Sequence, residues 1–314
     1  MNLSLAELAR VRARHPEAVA EAAARRPRRP LLGRSGRLLI VAADHPARGA
    51  LAAGGRPFAM ADRHDLLRRL CVALSRPGVD GVLAGADVLD DLLLLGALDA
   101  KVAVGSMNRG GLEGAVFELD DRFTGFRPAD LERRRFDAGK LLLRIDHADP
   151  GSLTTLYSAA RAVDAMAERR LPVFVEPFLS RRTPGGVRND LGAEAVTRAV
   201  AIASGLASTS AYTWLKVPVT EDPGRMAAVL ETSSLPTVLL GGDARDQDAL
   251  FERWREALRL PTVHGLVAGR SLLYPADGDV AAAVDTAAAL LRPRTGAAPG
   301  SGAPGGPAPE STAP

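Results

Sequence analysis

Short apolar runs recur along the chain, with helical patterns between them. The runs lie at 38–43, 81–85, 102–106, 141–145, 173–177, 213–219, 237–240 and 264–268, bounded mostly by glycine, proline or charged residues. The stretch 62–74 aligns Leu66, Leu67, Leu70 and Leu74 on one helical stripe, and 153–169 does the same with Leu156, Ala160, Val163 and Ala167. Strands that alternate with helices pair in parallel through helical crossovers. Eight such units in about 260 residues have the size and count of a closed barrel. A doubly wound dinucleotide fold would show G-x-G-x-x-G after its first strand, whereas this first strand runs into Asp44-His45-Pro46-Ala47-Arg48-Gly49. The predicted fold class is α/β, a single (β/α)8 TIM barrel over residues 37–292.

The flanks read differently. Residues 1–36 predict an N-terminal helical extension, with Ser4 and Glu7 at capping-box spacing, followed by a basic linker in which Pro27 and Pro30 interrupt Arg25, Arg26, Arg28 and Arg29. The arginine run is short and has no interleaved aromatic residues, so a solvated linker is expected instead of a nucleic-acid patch. Residues 293–314, dominated by Gly, Ala, Pro and Ser, predict a disordered tail, because they carry too little apolar bulk to offset their ordering entropy.

Composition narrows the function classes. Of 314 residues 46% are hydrophobic and 25% charged, and 40 basic residues nearly balance 37 acidic ones, which fits a globular protein without a nucleic-acid partner. The single cysteine, Cys71, has no internal disulfide partner, the N-terminus shows no signal-like apolar run, and the longest apolar stretches are too short to span a bilayer. A cytoplasmic protein with no membrane association is expected. Among the 40 basic residues only Lys101, Lys140 and Lys216 are lysines. Where arginine serves wherever charge alone suffices, the surviving lysines are candidates for chemistry that needs a deprotonatable amine.

Barrel active sites lie at the C-terminal ends of the strands. Alternation in 213–219 puts Trp214 and Lys216 on one face, inward if Leu215 and Val217 meet the helices. Burial would lower the Lys216 pKa toward a nucleophilic amine; the alternative is a lysine whose stem packs while its head reaches water or a carboxylate. Lys140, Leu142, Arg144 and Asp146 share one face of their strand, so Lys140 is either a cationic assistant or a salt-bridged strand start. Glu176, an acid ending an apolar strand, reads as a proton carrier or an ion-pair partner. Lys101 reads as structural. After the last two strands, Gly241, Gly242, Gly269, Arg270 and Ser271 suit a phosphate cradle, with simple turns as the alternative. Histidine spacing gives no metal motif, although Asp44, Asp146 and Asp243 remain carboxylates able to meet a hydrated cation. No cofactor is expected.

The segments Lys140-Leu141-Leu142-Leu143, Val175-Glu176-Pro177 and Leu215-Lys216-Val217-Pro218-Val219 resemble the class I aldolase superfamily of deoxyribose-phosphate, tagatose-bisphosphate and fructose-bisphosphate aldolases. Asp44 and Gly269-Arg270-Ser271 look similar too, whereas Asp44-His45-Pro46 departs from the Asp-glycine and Asp-glutamine openings of the better-known branches. The resemblance implies a Schiff base on Lys216, with Lys140, Glu176 and Asp44 as catalytic assistants, and a small phosphorylated carbohydrate as substrate. Gly105-Ser106-Met107-Asn108-Arg109-Gly110-Gly111 and Phe123-Thr124-Gly125-Phe126 are similar to an actinobacterial subgroup associated with inositol catabolism. That implies cleavage of 2-deoxy-5-keto-D-gluconate 6-phosphate to dihydroxyacetone phosphate and malonate semialdehyde, with Arg144 or Arg109 meeting the carboxylate and Asn108 beside them. Deoxyribose 5-phosphate and hexulose bisphosphates are alternative substrates. Alternatives of other classes are a non-catalytic sugar-phosphate-binding barrel and a metal-dependent hydrolase or isomerase. A homo-oligomer is expected.

Overall fold

The structure, a computed structural model, describes residues 4–220, 222–242 and 246–292. The predicted tail at 293–314 and the carboxylate Asp243 therefore lie outside the described residues. Nine strands are present among those described: β1 (Leu38–Ala43), β2 (Gly81–Ala84), β3 (Val102–Ser106), β4 (Ala138–Ile145), β5 (Val173–Thr183), β6 (Gly186–Asn189), β7 (Thr213–Pro218), β8 (Thr237–Leu240) and β9 (Val263–Ala268). Eight of them pair in parallel in the order β4-β3-β2-β1-β9-β8-β7-β5. Pairing of Gly139–Ile145 with Val173–Leu179 then joins the two ends of that order and closes the (β/α)8 barrel.

Alternation along the strands sorts two cores. On β1, Leu38, Ile40 and Ala42 fill the barrel, where they meet Val104, Phe174 and Val238, while Leu39, Val41 and Ala43 pack outward against the helices. Trp214 lies against the inner layer, edge-on to Phe174 with ring centroids 5.6 Å apart, and so builds the floor two residues before Lys216.

Three features depart from the sequence reading. The helix Gly151–Glu168 buries Ser152, Thr155, Ala159, Ala162, Val163 and Met166, so only Val163 of the expected stripe faces the core fully, and Leu153 is 74% exposed. Small and hydroxylated residues suit that contact because two of them satisfy nearby backbone: Ser152 Oγ accepts from the Asp146 amide after β4 at 2.9 Å, and Thr155 Oγ1 donates to the Leu119 carbonyl in the loop after β3 at 2.6 Å. Strand β5 continues past Pro177 and turns back antiparallel as β6, a hairpin beyond the barrel rim.

The basic linker is docked, not solvated. After the capped helix Leu5–Arg14 and a second helix Ala18–Arg25, the Arg26 side chain is buried at 2% exposure. It donates to the carbonyls of Lys101 and Arg135, each at 2.6 Å, and pairs with Asp137 at 3.1 Å. Arg28 reaches the same carboxylate at 2.9 Å and Arg29 pairs with Asp80. Burial of the guanidinium is possible because carbonyl and carboxylate acceptors meet it, so the extension closes the N-terminal end of the barrel. No helix of the described residues is long and apolar enough to cross a membrane.

Candidate active site

The inward positions of β4, β5 and β7 bring Lys140, Glu176 and Lys216 together. The Lys216 Nζ lies 2.5 Å from Glu176 Oε1, and Lys140 Nζ lies 2.6 Å from Glu176 Oε2 and 2.9 Å from Asp44 Oδ2, at the end of β1. Two ammonium groups and two carboxylates thus form a chain across the barrel, and all four residues are at least nine-tenths buried. In such surroundings an unpartnered charge would be costly, and each one here has an opposite neighbour at hydrogen-bond distance.

The electrostatics divide the two lysines. Burial pushes the Lys216 ammonium down and, with the nearby Lys140 charge acting in the same direction, outweighs the opposing pull of Glu176 and Asp44. Burial acts on Lys140 in the same direction, but Asp44 and Glu176 both touch it and together hold it above the ordinary lysine value. Lys216 is thereby the more easily deprotonated of the two amines. Desolvation would raise the two carboxylates, yet Lys140 and Lys216 prevail: Glu176 is held down at about 2 and Asp44 far below the usual carboxylate range. Lys101 lies elsewhere, donating to the Val79 carbonyl at 2.7 Å.

The glycine segments sit where β8 and β9 end. A Cβ on Gly269 would stand 2.3 Å from the Ala42 carbonyl and 3.0 Å from His45 Cε1, so this position has no room for a side chain. Gly242 adopts φ +64°, with open space around it. Ser271 Oγ is buried without a hydrogen-bond partner among the described residues. A Cβ on Gly241 would stand 2.5 Å from Ser271 Oγ, and Arg270 and Ser271 line a cavity of about 880 Å³ whose other walls include Gly54, Arg56, Arg69 and Tyr274.

The other expected contacts are engaged within the protein. Asn108 clamps β4, donating to the Leu142 carbonyl at 2.5 Å and accepting from its amide at 2.7 Å. Arg144 donates to Glu118 Oε1 at 2.6 Å and to the Glu118 carbonyl at 2.8 Å. Arg109 is half-buried after β3 and donates to the Ala47 carbonyl at 3.2 Å. Asp146 accepts from the amides of Arg182 and Ala148, apart from Asp44. Sequence reasoning passed over Glu118, which also accepts from the Gly114 amide at 3.0 Å, and Arg48, which pairs with Asp121 at 2.6 Å. Glu118 belongs to the irregular segment after β3 and Arg48 to a single short turn after β1, and neither has a periodicity that marks it.

The architecture and the site define a (β/α)8 barrel with a buried Lys–Glu–Lys–Asp cluster. By a family model matching residues 36–288, the chain belongs to the Cgl0159-like family. It is similar to the crystal structure of Cgl0159 from Corynebacterium glutamicum (Brevibacterium flavum), with 54% identity, a TM-score of 0.87, and coverage of 90% of this chain and 95% of that one. An archaeal fructose-1,6-bisphosphate aldolase, solved with its catalytic Lys covalently bound to the carbinolamine intermediate of the substrate, has a TM-score of 0.62 at 18% identity, over 87% of this chain and 99% of that one. The fructose-bisphosphate aldolase from Slackia heliotrinireducens has a TM-score of 0.61 at 14% identity, over 93% of each chain. These two share the fold. No curated protein sequence matches the chain.

Proposed function

We propose that the protein is a class I aldolase, a lyase that cleaves a carbon–carbon bond of a phosphorylated keto sugar or keto sugar acid through a Schiff base on Lys216. The observation that carries this reading is the shared carboxylate: Glu176 lies between a buried lysine of lowered pKa and a second lysine of raised pKa. A neutral Lys216 amine attacks the substrate ketone. Glu176, 2.5 Å away, takes up the proton shed by nitrogen and delivers it to the hydroxyl that leaves as the carbinolamine becomes an iminium. Lys140 stays protonated and fixes Glu176 throughout. The iminium then draws in the electron pair of the bond between the α and β carbons. An enamine remains on Lys216, and the β carbon leaves as an aldehyde.

Gly241, Gly242, Gly269, Arg270 and Ser271 would hold the phosphate. Arg144 is held by both the side chain and the carbonyl of Glu118, whereas Arg109 spends one donor on the Ala47 carbonyl and offers its remaining donors to a substrate carboxylate. The first candidate substrate is 2-deoxy-5-keto-D-gluconate 6-phosphate, split to dihydroxyacetone phosphate and malonate semialdehyde; deoxyribose 5-phosphate and hexulose bisphosphates follow. One barrel of the same fold carries a carbinolamine on its lysine, the intermediate assigned here to Lys216. Incubation with this panel and assay for the released aldehyde tests the reading. Turnover of one member supports it, and binding without any product would identify a barrel that only holds sugar phosphates.

A further inference from the structure

The cleavage step needs a base for the hydroxyl on the β carbon, and the carboxylates are poorly suited to it. Glu176 meets an ammonium at each oxygen, at 2.5 and 2.6 Å, and already carries the proton of imine formation, while Asp44 is held by Lys140 through Oδ2 at 2.9 Å. Among the described residues a further titratable group, His45, interacts with Asp44, Glu176 and Lys216. His45 follows Asp44 at the first position of the turn His45–Arg48, directly above the barrel mouth. Its side chain is a quarter exposed, and its Nδ1 is buried with no hydrogen-bond partner among the described residues, 3.8 Å from Asp44 Oδ1. The close approach of Gly269, whose Cβ would stand 3.0 Å from the ring, holds the imidazole against the end of β9.

We propose that His45 is the catalytic base of carbon–carbon cleavage, an inference that rests on the aldolase reading. A neutral ring nitrogen accepts the proton of the β-carbon hydroxyl. The O–H electron pair forms the aldehyde C=O as the bond between the α and β carbons breaks, and that bond's electrons enter the iminium to give the enamine. The imidazolium then returns the proton to the enamine carbon. Water hydrolyses the regenerated iminium, releasing the ketone and the Lys216 amine.

The charge environment keeps the ring unprotonated in the free protein. Burial first, then Arg270 after β9 and Lys216 on β7, lower the imidazole to about 4 against the opposing pull of Asp44 on its own turn and Glu176 on β5. The ring is therefore neutral at ordinary pH, and it is a stronger base than Glu176 at about 2. A phosphate dianion beside Arg270 would offset one of the charges that depress it, so substrate binding would itself raise the basicity of His45.

The test compares wild type with His45→Gln on 2-deoxy-5-keto-D-gluconate 6-phosphate and fructose 1,6-bisphosphate, measuring kcat, KM and borohydride-trapped adduct separately. The expected result is a kcat lower by about 10²- to 10³-fold with KM within about threefold, trapping on Lys216 retained, and partial rescue of cleavage by added imidazole. The acid limb of the kcat–pH profile should disappear with the ring. A kcat within threefold of wild type overturns the proposal and leaves the aldolase reading intact, whereas wild type that neither traps nor cleaves overturns that reading. Loss of trapping together with cleavage in a folded His45→Gln protein assigns His45 to imine formation and also overturns the proposal. Should His45→Gln fail to fold, His45→Asn is read by the same criteria.

Discussion

Lys140 and Lys216 present their ammonium groups to opposite oxygens of a single carboxylate, at 2.6 and 2.5 Å. The Lys140 charge therefore lowers the pKa of Lys216 across the carboxylate they share. Lys140→Met removes a positive neighbour that lowers the Lys216 pKa, so the amine should need higher pH to react. The pH dependence of the borohydride-trapping rate is expected to shift in the alkaline direction. The same substitution leaves Asp44 buried without its 2.9 Å partner and should cost about 3 kcal/mol or more, read by denaturant unfolding. An unchanged trapping profile would mean that the two amines are not coupled.

Acid should loosen the cluster through Glu176. Its folded value of about 2 lies below the ordinary 4.5, so its contribution to stability is present above about 4.5 and is lost as pH falls toward 2. Glu176→Gln removes that contribution at every pH. The stability gap between wild type and variant is therefore expected to be largest near neutrality and to close as both are acidified, because protonated Glu176 resembles the amide. Parallel melting-temperature curves from pH 7 down to 2.5 would contradict the assignment.

At the opposite end of the barrel, Arg26→Ala should destabilise without affecting chemistry. The substitution withdraws hydrogen bonds from two carbonyls and from Asp137, although Arg28 still holds that carboxylate. A loss of about 3 kcal/mol is expected on chemical denaturation, with kcat unchanged. Solvent exposure of the linker, as its composition suggested, would instead make Arg26→Ala silent.

The phosphate assignment separates two substrate types. Arg270→Ala should weaken binding of phosphorylated substrates by about 1.5 to 3 kcal/mol, the range for a charged hydrogen bond, while hardly changing the KM of unphosphorylated analogues. Kinetics with matched pairs of substrates decide it. Equal losses for both types would place Arg270 elsewhere in the reaction.

Much of this site was legible because a strand's side chains alternate. The inward set on β7 followed from Trp214 and Lys216 flanking Leu215, and the rarity of lysine singled out Lys140 and Lys216 before any contact was known. Alternation says nothing about irregular segments. It could not show that Glu118 would occupy Arg144, or that β5 would run on past Pro177 into a hairpin. Helix 151–168 departs from its apolar stripe for a related reason: periodicity ranks bulk, while the barrel wall there accepts Ser152 and Thr155, whose hydroxyls satisfy nearby backbone groups. Arg26 looked solvated because sequence shows its charge but not the carbonyls waiting for it.

The central claim, a covalent imine on Lys216, is tested most directly by reducing the protein with borohydride in the presence of dihydroxyacetone phosphate, then measuring intact mass and mapping the labelled peptide. One adduct per chain on Lys216 is expected, with none in Lys216→Arg, a substitution that keeps the charge and removes the nucleophile. An adduct on Lys140 or Lys101, or no adduct at any substrate concentration, would contradict the account.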